Sequence, residues 1–202
     1  MPDSGIAGVV LAGGLGRRLG APDKGLQPFR GRPLVQHAIE RLRPQVAALA
    51  INANQNLERY AEFAHPVLTD RVGGFAGPLA GLEAGLVWCP EPMLVSVPCD
   101  SPFFPLDLVV RLRRVLEADR ADLVVARTGA QAHPVFCLCR RELLQNLQAF
   151  LAGGGRKMDA WYAQLPHREV SFDNDAAAFS NINTPDELAA IERADVEPRQ
   201  RA

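Results

Sequence analysis

Hydrophobic positions fall along this chain in two alternating rhythms. Short, largely apolar runs at Ile6 to Leu11, Ala48 to Ile51, Pro66 to Thr69 and Met93 to Val97 read as strands, the first with the continuous, β-branched pattern of a parallel strand covered on both faces. Between them, apolar residues recur at helical spacing: Leu34, Val35, Ala38, Ile39 and Leu42 after Pro33, then Leu57 to Ala64, Pro78 to Val87 and Leu106 to Leu116. Strands alternating with helices of this length predict an α/β fold, a Rossmann-like open mixed sheet, mostly parallel, with helices on both faces. Ligands of such sheets bind beyond the carboxyl ends of the strands. The polar residues that end the strands, Asn52, Asp70 and Asp100, then share one edge with the glycine-rich stretch that follows Leu11.

The second half changes rhythm. Asp122 to Arg127 and Pro134 to Cys139 are separated only by Thr128 to His133, too short for a crossover helix, which predicts an antiparallel addition to the sheet. Arg141 to Leu151 and Met158 to Leu165 predict helices flanking the basic glycine loop Gly153-Gly154-Gly155-Arg156-Lys157, and Arg168 to Phe172 predicts an edge strand. After Asn181-Ile182-Asn183, the run Thr184-Pro185-Asp186-Glu187 predicts a capped helix ending near Arg193 and then a polar tail.

Composition narrows the classes. A chain of 202 residues, 48% hydrophobic, is expected to bury one core as a single domain. A net charge of -1 argues against a nucleic-acid partner. There is no apolar run near the ~20 residues a bilayer requires and no secretory-type N-terminus, so the expectation is a cytoplasmic protein without a membrane partner. Cys89, Cys99, Cys137 and Cys139 lie in apolar stretches without a CxxC pair, which predicts buried, reduced thiols. His37, His65 and His167 read as filler, and Arg111, Arg113 and Arg114 as a solvated helix face.

The candidate chemistry begins in Gly8 to Lys24, where an apolar strand breaks into glycines and ends in Arg17, Arg18 and Lys24. A Walker A loop needs Gly-Lys-Ser/Thr opening a helix, and that is missing. A dinucleotide fingerprint needs GxGxxG, but Leu19 stands where the third glycine belongs, and Asn52 stands where a ribose-binding acid would. What remains is a loop whose glycines admit backbone N–H groups to phosphates and whose cations supply mobile positive charge.

That loop, Leu11-Ala12-Gly13-Gly14 with Arg17-Arg18-Leu19-Gly20 and Asp23-Lys24-Gly25, resembles the nucleotidyltransferase signature. Asn52-Ala53-Asn54, Gly77-Pro78-Leu79-Ala80-Gly81, Pro98-Cys99-Asp100-Ser101-Pro102, His133-Pro134 and Asn181-Ile182-Asn183-Thr184-Pro185 follow in order, and together they resemble the molybdenum cofactor guanylyltransferases. The resemblance implies a fold of the nucleotide-diphospho-sugar transferase type, with a nucleotide-binding half over about 1–105 and an acceptor-binding half over about 106–194. It implies transfer of GMP from Mg-GTP to the terminal phosphate of Mo-molybdopterin, releasing pyrophosphate. Arg18, Lys24 and Asp100 would be catalytic, with Asp100 the ligand of Mg2+, a hard cation that takes one or two carboxylates plus phosphate oxygens. Leu11, Ala12, Gly13, Gly14, Lys24, Asn52, Asp70, Gly81 and Asp100 would bind GTP, and His133, Arg156, Asn181 and Asn183 the acceptor. Molybdenum-insertion and accessory GTP-binding proteins of the same pathway are the implied partners. Related cytidylyl- and uridylyltransferases tend to carry alanine at the position of Gly13, which favours GTP. A cytidylyl- or sugar-1-phosphate nucleotidyltransferase of the same fold, and a non-catalytic nucleotide or cofactor carrier, are the alternatives. Retention of Arg18, Lys24 and Asp100 together speaks against the carrier.

Overall fold

The computed structural model describes residues 3–13, 23–72 and 77–182. Gly14, Arg17, Arg18, Asn183 and the predicted helix that begins at Thr184 lie outside the described residues. The first half runs β1 (Asp3–Leu11), β2 (Pro28–Phe29), β3 (Arg32–Pro33), α1 (Leu34–Leu42), β4 (Val46–Asn52), α2 (Leu57–Ala61), β5 (Val67–Leu68), α3 (Pro78–Trp88) and β6 (Met93–Pro98). Then follow α4 (Leu108–Ala118), β7 (Leu123–Thr128), β8 (Gln131–Arg140), α5 (Leu144–Ala152), α6 (Met158–Tyr162) and β9 (His167–Ser171).

Seven strands form one sheet in the order β5-β4-β1-β6-β8-β7-β9. β8 alone runs antiparallel to its neighbours, paired to β6 and to β7, and β9 returns parallel to β7 at the edge. This is the mixed, mostly parallel sheet that the alternating pattern predicts. The central strand explains why its sequence is apolar throughout: Ile6 and Val10 enter the core under α1 and α4, while Ala7 and Val9 enter the opposite core under α3, α5 and α6. In α1 the five residues predicted to face the sheet, Leu34, Val35, Ala38, Ile39 and Leu42, are the five that are buried. The four cysteines are buried and free.

Several elements differ from their sequence expectation. The β7–β8 hairpin closes on a two-residue turn, so both strands extend into what reads as a six-residue loop. The β2–β3 hairpin was not expected. It turns on Arg30 and Gly31, both at positive φ (48° and 74°), as a tight hairpin demands, and it buries Phe29 against Phe103 and Ile182. α2 and α6 stop short of the predicted Ala64 and Leu165. Arg111 is only partly solvated: its guanidinium lies 3.7 Å from the centre of the Phe172 ring and donates to Asp175 (2.7 Å) and to the Ser171 carbonyl (2.8 Å). These partners lie some 60 residues further along the chain and were invisible to a local reading of the helix.

Candidate active site

Parallel alignment of β1, β4, β5 and β6 carries their C-terminal ends to one edge, where a cavity of about 270 Å³ opens. Its walls include Leu11, Ala12, Gly13, Lys24, Asn52, Asp70, Asp100 and Asn181, which the sequence singled out. They also include Gly77, Pro78, Pro98, Cys99 and Val135, which it did not assign to the site. Backbone bonds from Ala12 N to Asn52 O (2.8 Å) and from Cys99 N to Leu11 O (3.1 Å) prolong the sheet one residue past β1, so the wall is an extension of the ladder.

One end of the cavity is an amide–carboxylate clamp. Asn52, 2% exposed, donates both amide hydrogens, to the Leu68 carbonyl (3.2 Å) and to Asp70 Oδ1 (2.9 Å). Asn54 donates to Gly13 O (3.1 Å) and to Asp70 Oδ2 (2.8 Å), while its own oxygen accepts from Asp70 N (2.8 Å). Each oxygen of Asp70 thus accepts one amide hydrogen and keeps room for one more, so the carboxylate can take two further donors. Gly13 is required by closeness: a Cβ there would stand 2.7 Å from Asn54 Nδ2 and 2.8 Å from Asn52 Oδ1. Gly81 lies behind Asn52, on the buried flank of α3, and does not line the cavity.

At the other end Lys24 Nζ donates to Asp100 Oδ2 at 2.6 Å, with the Asp100 side chain 15% exposed. Asp100 Oδ1 is buried with no hydrogen-bond partner among the described residues. An orphaned buried acceptor costs roughly 1–3 kcal/mol, and a carboxylate oxygen left in that state in a residue that lines the cavity fits a hard cation. Among the described residues no group of three or more His, Cys, Asp or Glu surrounds it, so a cation here would depend on one carboxylate and on ligand oxygens. Cys99, next to it, is 5% exposed, and burial pushes its thiol well above the usual range, so it walls the cavity as a neutral group.

A second cavity of about 320 Å³ is lined by Thr128, Gln131, His133, Ala176, Phe179, Ser180 and Asn181. Asn181 lines both cavities and sits close to Asp100, because Ile182 N donates to Asp100 O (2.8 Å) and Ser101 Oγ to Asn181 Oδ1 (2.6 Å). His133 stacks on Phe179 with centroids 5.0 Å apart, and a ring nitrogen lies 2.7 Å from Thr128 Oγ1. Desolvation lowers its pKa, favouring a neutral imidazole. His133 and Val135 reach separate cavities through a bulge. The β7–β8 register jumps from Val125↔Cys137 to Ala126↔His133, and Pro134, which has no N–H to pair, lies inside the jump. Arg156 lines neither cavity; it donates to the carbonyls of Leu151 (2.9 Å) and Gly155 (2.7 Å) at the end of α5.

A mixed α/β sheet carrying a glycine-walled, lysine–aspartate cavity at its strand ends defines a protein of the nucleotidyltransferase class. The MobA-like NTP transferase domain matches residues 8–169, and the chain belongs to that family. It is 53% identical over 192 residues to a molybdenum cofactor guanylyltransferase of Cupriavidus necator, covering 93% of this chain and 96% of that protein. Against the molybdenum cofactor guanylyltransferase of Ralstonia nicotianae it is 50% identical over 200 residues, covering 95% and 98%. Among solved structures, the molybdopterin-guanine dinucleotide biosynthesis protein A of Archaeoglobus fulgidus superposes with a TM-score of 0.79 at 22% identity, over 95% of this chain and 99% of that one. A CMP:2-keto-3-deoxy-manno-octonic acid synthetase complexed with CTP gives a TM-score of 0.66 at 15% identity, over 98% and 99%. These two likenesses carry the fold. Among the described residues no helix is long and apolar enough to cross a membrane.

Proposed function

We propose that the chain transfers GMP from GTP to the terminal phosphate of molybdenum-bearing molybdopterin, forming the guanine dinucleotide cofactor and pyrophosphate. The observation that carries the reading is Asp100: Lys24 satisfies one oxygen, the other is buried with no hydrogen-bond partner among the described residues, and the residue lines a cavity that the Asp70 clamp also lines. The curated relatives at 50–53% identity, named molybdenum cofactor guanylyltransferases, support this choice of donor and acceptor.

Guanine presents two adjacent donors, N1–H and the exocyclic amine, and Asp70 retains two free acceptor positions held by Asn52 and Asn54. The triphosphate then runs along Leu11, Ala12 and Gly13 towards Lys24 and Asp100. Gly14 and Arg18, outside the described residues, are assigned to the same phosphates. An oxygen of the acceptor's phosphate attacks the α-phosphorus in line, the bond to the β-phosphate oxygen breaks, and pyrophosphate leaves with that electron pair. A phosphate oxyanion needs no strong general base, so the reading requires none. Lys24, an ammonium on a flexible stem, follows the charge onto the departing oxygens. A divalent cation held by Asp100, Mg2+ by the family pattern, would supply Lewis-acid charge to the α-phosphate and the leaving oxygens. The acceptor occupies the second cavity, with Asn181 at the seam to position its phosphate and Asn183, outside the described residues, assigned beside it.

The test is incubation of the purified protein with GTP, CTP, ATP or UTP, Mg2+ and Mo-molybdopterin, following pyrophosphate and the dinucleotide. Product from GTP supports the reading; product from CTP but not GTP removes it.

A further inference from the structure

α2 is five residues long and buries a single side chain, Tyr60, which is 0% exposed. A buried phenol must spend its O–H on a partner, and this one donates to Asp23 Oδ1 at 2.7 Å. Desolvation first, and the hydrogen bond to Asp23 second, push the Tyr60 phenol far above its usual range, so the group stays a proton donor. The same carboxylate accepts Gly25 N (3.2 Å) on Oδ1 and Asn56 Nδ2 (3.0 Å) on Oδ2, and so caps the turn Lys24–Leu26. Gly25 is wedged into this arrangement: a Cβ there would strike the Tyr60 hydroxyl and lie 3.3 Å from Ala12 Cβ, part of the cavity wall. Neither Asp23 nor Tyr60 lines the cavity. Between Asp23 and Gly25 stands Lys24, which reaches Asp100 from this turn.

We infer that Tyr60 is a positioning residue for Lys24: by holding the Asp23 carboxylate, its hydroxyl fixes the turn from which the lysine ammonium meets Asp100. This deepens the proposed reaction and rests on it only where it predicts turnover. Asp23, next to the lysine in sequence, is thereby turned to Tyr60, Gly25 and Asn56 and does not line the cavity as a second carboxylate.

The chain offers an internal reference, because Lys24 and Lys157 are its only two lysines and Lys157 is exposed. Trace acetylation with acetic anhydride, read by peptide mass spectrometry, gives the Lys24-to-Lys157 labelling ratio without any substrate. Tyr60→Phe keeps the ring and removes only the oxygen. It is expected to raise the ratio several-fold and to lower kcat by roughly tenfold, the weight of one charge-assisted hydrogen bond, with a smaller change in KM for GTP. In a Lys24→Ala background the same substitution should leave kcat unchanged, because its effect passes through the lysine. Phe63→Leu controls for loosened packing: Phe63 lies against the Tyr60 ring (centroids 6.4 Å apart), and no hydrogen bond joins it to Asp23. It should leave the ratio unaltered. An unchanged ratio in folded Tyr60→Phe, or an equal rise in Phe63→Leu, overturns the inference. A raised ratio with full turnover in both Tyr60→Phe and Lys24→Ala keeps the positioning role and overturns the catalytic role of Lys24 instead.

Discussion

Gly13→Ala puts the proposed base clamp to its most direct test. The added methyl would lie 2.7 Å from Asn54 Nδ2 and 2.8 Å from Asn52 Oδ1, well inside the 3.4 Å at which ordinary contact begins. Asn54 is exposed and can swing aside, but Asn52 is 2% exposed, with its amide committed to Leu68 O and Asp70 Oδ1. Relief of the clash therefore falls on the bonds to Asp70. Losing one hydrogen bond to a charged acceptor costs about 1.5–3 kcal/mol, which corresponds to a fall of roughly 10- to 100-fold in kcat/KM for GTP. The assay is steady-state pyrophosphate release with each nucleoside triphosphate, alongside a thermal melt. The discrimination ratio of GTP over CTP should fall with the GTP rate, because the carboxylate that reads two adjacent donors is the group displaced. An unchanged kcat/KM for GTP in folded enzyme would refute the argument, since it would mean that the asparagines can yield without moving Asp70.

Three further outcomes follow from other parts of the molecule. Asp100→Asn should lower turnover by about 10² or more while leaving the fold intact, and unchanged pyrophosphate release would contradict its role. Arg111→Ala removes the cation–π contact with Phe172 and the bonds to Asp175 and Ser171; because Arg111 and Asp175 are partly exposed, the loss is discounted to about 1 kcal/mol, or ~2–4 °C in the melting midpoint. Its kcat/KM should match the parent protein, since Arg111 lines neither cavity. Burial depresses the His133 pKa below its ordinary 6.5, so the unfolded chain binds the proton more readily and stability is full above about 6.5 and lost as pH falls towards the folded value. His133→Gln should flatten the melting-temperature profile below that pH, and the slope that remains belongs in part to His65, depressed in the same way by burial and then by Arg43.

Most of the fold was legible because its cause is local. The periodicity of α1 and the apolar run of β1 each state which faces will be buried, and the loop between β7 and β8 is too short for anything but an antiparallel return. The cavity wall was legible for the same reason: strand ends in a parallel sheet must converge, so Asn52, Asp70 and Asp100 could be grouped before any contact was seen. Residues whose role depends on distant partners were not. Tyr60 carries no signal of its own in the sequence, Asp23 reads as half of a motif, Arg111 as solvated surface and Gly81 as a ligand contact. In each case the decisive neighbour lies on another element: Asp23 for Tyr60, Phe172 for Arg111, Asn52 for Gly81.

The antiparallel strand of the seven-stranded sheet also accounts for the two adjoining cavities. A wholly parallel sheet would lay one row of strand ends along one edge. β8 instead enters from that edge, between β6 and β7, and its first residues stand where a loop would otherwise be. The bulge at Pro134 then splits the strand's side chains, sending Val135 to the Asp100 cavity and His133 to its neighbour. Ser96, buried in β6, stabilises the split by donating to the Val135 carbonyl at 2.6 Å, a group that the interrupted ladder leaves without its strand partner. Two ligands can therefore lie side by side with Asn181 between them, the arrangement a direct transfer from donor to acceptor requires.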